Sequence, residues 1–308
     1  MKYGQYSKAI EPALFVLAAF LAVSSMFMGL SAGVWQVLSA VFVLLLVAVI
    51  LSYINSNALL FAPRALLLCG VFFVTVLASP EGICLGRYHI CALSMPLSLH
   101  FWMRYVSSEQ VRPDLPLLIL LPVSVAALIE PPMAWMVLLF FLSSLAARHC
   151  SLTKFLLASV AGISLPWLYV FASDYVFSWP DAAGIYRNFI RSLFAGPSPL
   201  PVDNAGEAVY AAVFVILVIR ASLFTVAGCL KDRRERKVII CFTAFLAVAS
   251  LPLWLYYYGT GAGNIMLSPM YAIVFFDYFA NASRAESLIS FSVFSMAVVF
   301  LRIFSLTV

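Results

Sequence analysis

Charge is the scarcest commodity in this chain. Of 308 residues, Lys and Arg contribute 18 and Asp and Glu 13, so charged residues make up only 10%. A soluble domain keeps about a quarter of its residues charged to cover its surface, so this composition excludes an ordinary water-soluble fold. There are three histidines and six cysteines. The histidines are dispersed, and Cys69, Cys84, Cys91, Cys150, Cys229 and Cys241 show no paired metal-ligand spacing, so no metal site is expected. No residue cluster forms a catalytic signature, no cofactor motif is present, and 308 residues filled with apolar blocks leave no room for a separate folded soluble domain.

What is present is hydrophobicity: 64% of the residues are apolar and the mean hydropathy is +1.05. The apolar residues fall in blocks of helical length. A helix needs about 20 mostly apolar residues to cross roughly 30 Å of hydrocarbon. The blocks predict an all-α, polytopic integral membrane helical bundle forming one transmembrane domain over residues 1–308. Crossings are expected near 12–29, 34–53, 64–79, 88–103, 115–129, 132–147, 153–173, 208–229, 238–257, 265–281 and 287–306. The start, MKYGQYSKAIEPALFVLAAF, has a charged region but no small-residue cleavage site before the next block. It is read as a retained first span.

Orientation follows from the cations. With the N-terminus cytoplasmic, the inside gaps hold Lys2, Lys8, Arg64, Arg104, Arg112, Arg148, Lys154, Lys231, Arg233, Arg234, Arg236, Lys237 and Arg284, and the outside gaps only Arg87, Arg187 and Arg191. This asymmetry is the positive-inside pattern and places the N-terminus on the cytoplasmic side. The weakest block, YHICALSMPLSLHFWM, carries His89, His100 and Pro96 and has the features of a re-entrant hairpin. Crossings can be removed only in pairs, because losing one would place KDRRERK outside; nine or eleven spans fit and ten do not. KDRRERK itself is a topological anchor with general attraction for anionic membrane lipids, not a nucleic-acid site.

The cysteines read as buried small hydrophobes. Cys84 and Cys91 both fall near the outer face, where an oxidising periplasm would allow a disulfide. Within spans, Arg220, Asp277 and Arg302 need partners or a route to the interface, and Asp277 with Arg220 is a candidate structural pair.

Function, if chemical, is expected at the outer face. Glu81 and Glu130 lie in very short turns between apolar blocks, beside Pro80 and before Pro131 and Pro132. An acid held at a bilayer edge is costly, which makes both candidate general bases. The longest outer segment, about 174–207, contains DAAGIYRNFIRSLFAG. Its apolar residues recur at helical spacing opposite Asp181, Arg187, Asn188 and Arg191, predicting an amphipathic interfacial helix near 181–195. Arg187 and Arg191, four apart and so on one face, suit a phosphate or pyrophosphate, with Arg87 as a further contact. GTGAGN, residues 259–264, lacks the Lys and the strand-to-helix setting of a phosphate loop and reads as a tight connection beneath an aromatic belt.

Residues 64–177 resemble the membrane core of C-type glycosyltransferases. The likeness lies in closely spaced short spans, the inside loop with Arg104 and Arg112, ALIEPP ending a span, an aliphatic run closed by ARHCSLTK, and SLPWLYVFASDYVF leading into an outer loop. The resemblance implies a polyprenyl-phosphate-linked sugar as ligand and a catalytic acid in the first outer loop; here that loop, MGLSAGVWQ, contains no Asp or Glu. Nearly the whole chain also resembles an uncharacterised family of many-span bacterial inner-membrane proteins of similar length. The readings carried forward are a glycosyltransferase-like protein or its non-catalytic derivative, a structural subunit with envelope protein partners, and a small-molecule or lipid transporter. The transporter reading lacks an internal repeat.

Overall fold

The computed structural model describes residues 7–28, 34–58, 65–79, 82, 85–108, 112–147, 150–178, 181–194, 205–229 and 234–307. All regular structure among them is helical: α1 (Ser7–Met28), α2 (Val34–Ala58), α3 (Ala65–Leu77), α4 (Arg87–Ser107), α5 (Leu115–Ile129), α6 (Ala134–Ala146), α7 (Leu152–Phe177), α8 (Ala182–Phe194), α9 (Ala205–Gly228), α10 (Arg234–Ala249), α11 (Leu251–Tyr256), α12 (Ala262–Met266), α13 (Ser268–Asn281) and α14 (Arg284–Thr307). Single 3₁₀ turns, Pro131–Met133 and Tyr258–Thr260, join α5 to α6 and α11 to α12.

The expected crossings fall on helical segments, but 238–257 is divided between α10 and α11 and 265–281 between α12 and α13. Among the described residues, five segments are long and apolar enough to cross a membrane: Trp35–Ser56, Leu152–Phe177, Gly206–Gly228, Arg236–Tyr256 and Ala285–Ile303. The chain is therefore a multi-pass membrane protein. Length and hydropathy do not carry the expected count of eleven. At about 1.5 Å of rise per residue, a helix of 13 to 15 residues such as α3, α5, α6 or α13 covers only about 20 Å of a roughly 30 Å core.

The helices group into two compact units, residues 1–92 with 199–308, and residues 93–198. In the first, α13 is the central element. It is buried continuously from Ser268 to Phe279 and packs on α3, α9 and α10. Its sequence, SPMYAIVFFDYFAN, is apolar or aromatic around most of its circumference, as a helix surrounded by others must be. Around this centre, α1 and α2 pack on α3, and α14 on α9. Trp35, Phe42, Val49 and Met296 are exposed on α2 and α14, the apolar outer surface a lipid-facing helix presents.

In the second unit α5 lies against α7, and the approach is close because position 162 is glycine. A Cβ there would stand 2.8 Å from the Leu117 carbonyl oxygen. Leu157 and Val160 leave the opposite side of α7 exposed and apolar. Ser178 closes α7 with a left-handed residue (φ 51°), its N–H donating to the Asp174 carbonyl at 2.8 Å.

Candidate functional site

In the unit of residues 93–198, the site is built on the turn after α5. Pro131 disfavours helical backbone at Glu130, which adopts φ −126° and ψ 96° and ends the helix. Its N–H still donates to the Ala126 carbonyl at 2.8 Å, and its own carbonyl accepts from the Met133 N–H at 2.9 Å. Glu130 is buried, at 4% exposure. α8 packs against the Pro131–Met133 turn and against α7.

Two acids hold the start of α8. Asp174, at the end of α7, accepts from the Ala182 N–H at 3.2 Å through Oδ2. Asp181 accepts from the Gly184 N–H at 2.9 Å through Oδ1. Both carboxylates therefore serve the first N–H groups of α8 and its positive dipole end. A Cβ at Gly184 would meet the Asp181 carboxylate, which would have to shift to keep the cap. The apolar side of α8 is pinned by Trp167, whose ring meets Phe189 at 4.9 Å and Tyr186 at 5.9 Å, both edge to face. Arg187, Asn188 and Arg191 occupy the exposed side. Arg187 Nε donates to the Ala183 carbonyl at 3.4 Å, one turn back. The two arginines thus share an exposed face, whereas Glu130 is buried in the turn against which α8 packs.

Arg87 lies in the other unit, at the first residue of α4. A cation gains nothing from a helix N-terminus. The guanidinium instead lies over the Tyr88 ring, 5.2 Å from its centroid, and donates to the Tyr88 hydroxyl at 3.3 Å. Tyr88 in turn meets Tyr257 edge to face at 6.3 Å. His89 is fully buried next to it. Its Nδ1 accepts from the Gly86 N–H at 3.3 Å, which leaves Nε2 to donate to the Gly82 carbonyl at 3.1 Å. Glu81, the other candidate base, and Cys84 lie outside the described residues; Cys91 is buried in α4.

The GTGAGN segment is a structural joint. Gly261 has φ 65° and faces Ser79, whose Oγ a Cβ would overlap. The Gly261 and Asn264 amides donate within the turn, to the carbonyls of Tyr258 and Gly261. Asn264 Oδ1 accepts from Trp254 Nε1 at 2.8 Å and from the Tyr210 hydroxyl at 3.3 Å. Tyr258 donates to the Glu207 carbonyl. Burial, with the Glu207 charge as a lesser cause, pushes the Tyr258 phenol well above the ordinary tyrosine range. Sequence reasoning placed this segment in a turn and missed Asn264 as its hub; an amide following an aromatic run is the only signal it offered.

The charges that the sequence pattern puts inside spans find partners that it did not assign. Arg220 pairs with Glu286 at 2.8 Å, not with Asp277, and the Tyr278 hydroxyl donates to the same Glu286 oxygen at 3.2 Å. Asp277 accepts from Thr225 at 2.7 Å and from Asn281 at 2.6 Å. Arg302 is fully buried and donates through Nη2 to the carbonyls of Leu77 at 2.6 Å and Ser79 at 3.3 Å, where α3 ends. Among the described residues no group of three or more His, Cys, Asp or Glu side chains is placed to hold a metal ion.

No protein-family model matches the chain, and no curated protein or solved structure matches it either. The likeness of residues 64–177 to C-type glycosyltransferases therefore stands on its pattern features alone.

Proposed function

We propose that this multi-pass membrane protein binds a lipid-linked anionic ligand, of the polyprenyl-phosphate-sugar class, on the exposed cationic face of α8 at the outer side of the bacterial inner membrane. The observation that supports this is the division of α8. Its apolar side is pinned on Trp167, and Arg187 and Arg191 are presented one turn apart on the exposed side. A guanidinium fork matches phosphate oxygens, and a helix lying in the interface brings that fork to headgroup level. Where the ligand's sugar is transferred, Glu130 is the base that deprotonates the acceptor, in the turn against which α8 packs.

Binding of a polyprenyl phosphate and of the uncharged polyprenol to the nanodisc-embedded protein tests the reading. The phosphate should bind more tightly than the alcohol. R187Q/R191Q should weaken it at least tenfold, because each charge-assisted contact contributes about 1.5–3 kcal/mol. Equal binding of both lipids, or a double variant that binds like wild type, refutes it. E130Q separates binding from catalysis, since it should retain the lipid and lose activity in a glycan-assembly assay.

A second reading, a structural subunit of a cell-envelope assembly, is favoured by the capping of α8. Asp174 and Asp181, two of the outer acids, are engaged in holding a helix. Stoichiometric protein partners retained through purification in mild detergent would support it.

A further inference from the structure

Cys229 and Cys241 lie twelve residues apart in sequence and meet across the α9–α10 hairpin. Their sulfur atoms are 3.6 Å apart. Cys229 directly follows the last residue of α9 and is 2% exposed; its thiol donates to the Val226 carbonyl at 3.1 Å. Cys241 lies in α10 and is only partly buried. The two helices pack on each other, and the residues between the thiols include the basic sequence KDRRERK, 231–237, whose last four residues begin α10.

Sulfur atoms in van der Waals contact need to close only to about 2.05 Å to bond. Neither thiol belongs to the α8 site. We propose that Cys229 and Cys241 are a dithiol–disulfide switch that fastens α9 to the start of α10. The oxidant is a low-molecular-weight disulfide, RSSR, of the glutathione type. Exchange proceeds by thiolate attack through a mixed disulfide, so access decides which cysteine acts first. Cys241, the more exposed, loses its proton and attacks one sulfur of RSSR, giving Cys241–S–SR and releasing RS⁻, which takes up a proton. Cys229, within contact distance, then loses its proton and attacks the Cys241 sulfur, expelling the second RS⁻. The two protein thiols are oxidised by two electrons to one disulfide, and RSSR is reduced to two RSH. On the orientation read from the cations this hairpin faces the cytoplasm, where thiols are kept reduced. The switch therefore closes under oxidising conditions and reopens when RSH is restored.

The full-length protein in detergent is incubated with oxidised glutathione, denatured, alkylated and mapped by peptide mass spectrometry. Wild type should lose two alkylatable thiols and yield a linked peptide pair containing Cys229 and Cys241, with an upward shift in melting temperature that dithiothreitol reverses. C229S should stop at the mixed disulfide and carry a glutathione adduct on Cys241. C241S should carry none on Cys229. Full alkylation of Cys229 and Cys241 in oxidised wild type overturns the proposal without recourse to the variants. So does a linkage through other cysteines, or an adduct that appears on Cys229 in C241S and is missing from Cys241 in C229S.

Discussion

Replacing Arg302 by Met sets two large and opposite electrostatic effects against each other. The guanidinium is fully buried and donates to the Leu77 and Ser79 carbonyls at 2.6 and 3.3 Å. Hydrogen bonds to a charged group contribute about 1.5–3 kcal/mol each, and a cation at a helix C-terminus adds about 0.3–2 kcal/mol. Against this stands the desolvation of the charge, which costs several kcal/mol even after relaxation. Removing the side chain recovers that cost but leaves the end of α3 without its donor, in surroundings where water does not replace it.

The balance favours the arginine, and R302M should lose roughly 2–4 kcal/mol. R302K, with the charge but a single point donor in place of a planar fork, should fall between. A maleimide dye that fluoresces on reacting with buried thiols reads the unfolding, with the fully buried Cys91 as one reporter. The expected drop in melting temperature for R302M is roughly 5–10 °C. If R302M melts at or above wild type, desolvation outweighs the two bonds, and Arg302 is no stabiliser of the α3 terminus.

Two further outcomes follow from the aromatic network of the same unit. N264L deprives the Trp254 indole and the Tyr210 hydroxyl of their shared acceptor, and should destabilise by roughly 2–5 kcal/mol; an unchanged melting temperature would show that both donors find other acceptors. Tyr258 tests the linkage between protonation and folding. Because its folded pKa is raised, its contribution to stability is complete below the unfolded value of about 10 and is lost as pH climbs from there through the folded value. A tyrosinate absorbance titration of wild type minus Y258F should show the missing phenol ionising well above pH 10, and ionisation at the ordinary value would contradict its burial.

The helices were legible because a backbone in hydrocarbon must satisfy its own hydrogen bonds, which makes each apolar block a helix whatever packs on it. The expected 115–129 and 181–195 coincide with Leu115–Ile129 and Ala182–Phe194. The number of crossings was less legible, because apolar runs continue past the helical ends. The block 64–79 holds a helix of only 13 residues. At the candidate site, the Glu130 turn could be read from the two prolines after it, and the shared face of Arg187 and Arg191 from their spacing. The role of Asp174 could not. It caps α8 from eight residues away, across a left-handed turn at Ser178 that no local pattern announces.

The polar partners inside the spans were hidden for a more general reason. Sequence position along a helix fixes depth, but not the rotation about the helix axis that selects among partners at similar depth. Arg220 illustrates the point, because Asp277 and Glu286 are both acids on neighbouring helices near one end of α9. Rotation decides between them: α13 turns Asp277 toward Thr225 and Asn281, and α14 turns Glu286 toward Arg220 and Tyr278. Arg302 obeys the same rule with a backbone partner. Its acceptors are carbonyls at and just past the end of α3, more than two hundred residues away in sequence, which carry no residue-type signal at all. Cys229 and Cys241 read from sequence as two buried hydrophobes for want of the same information, since neither depth nor spacing says that two thiols at the end of one helix and within the next face each other.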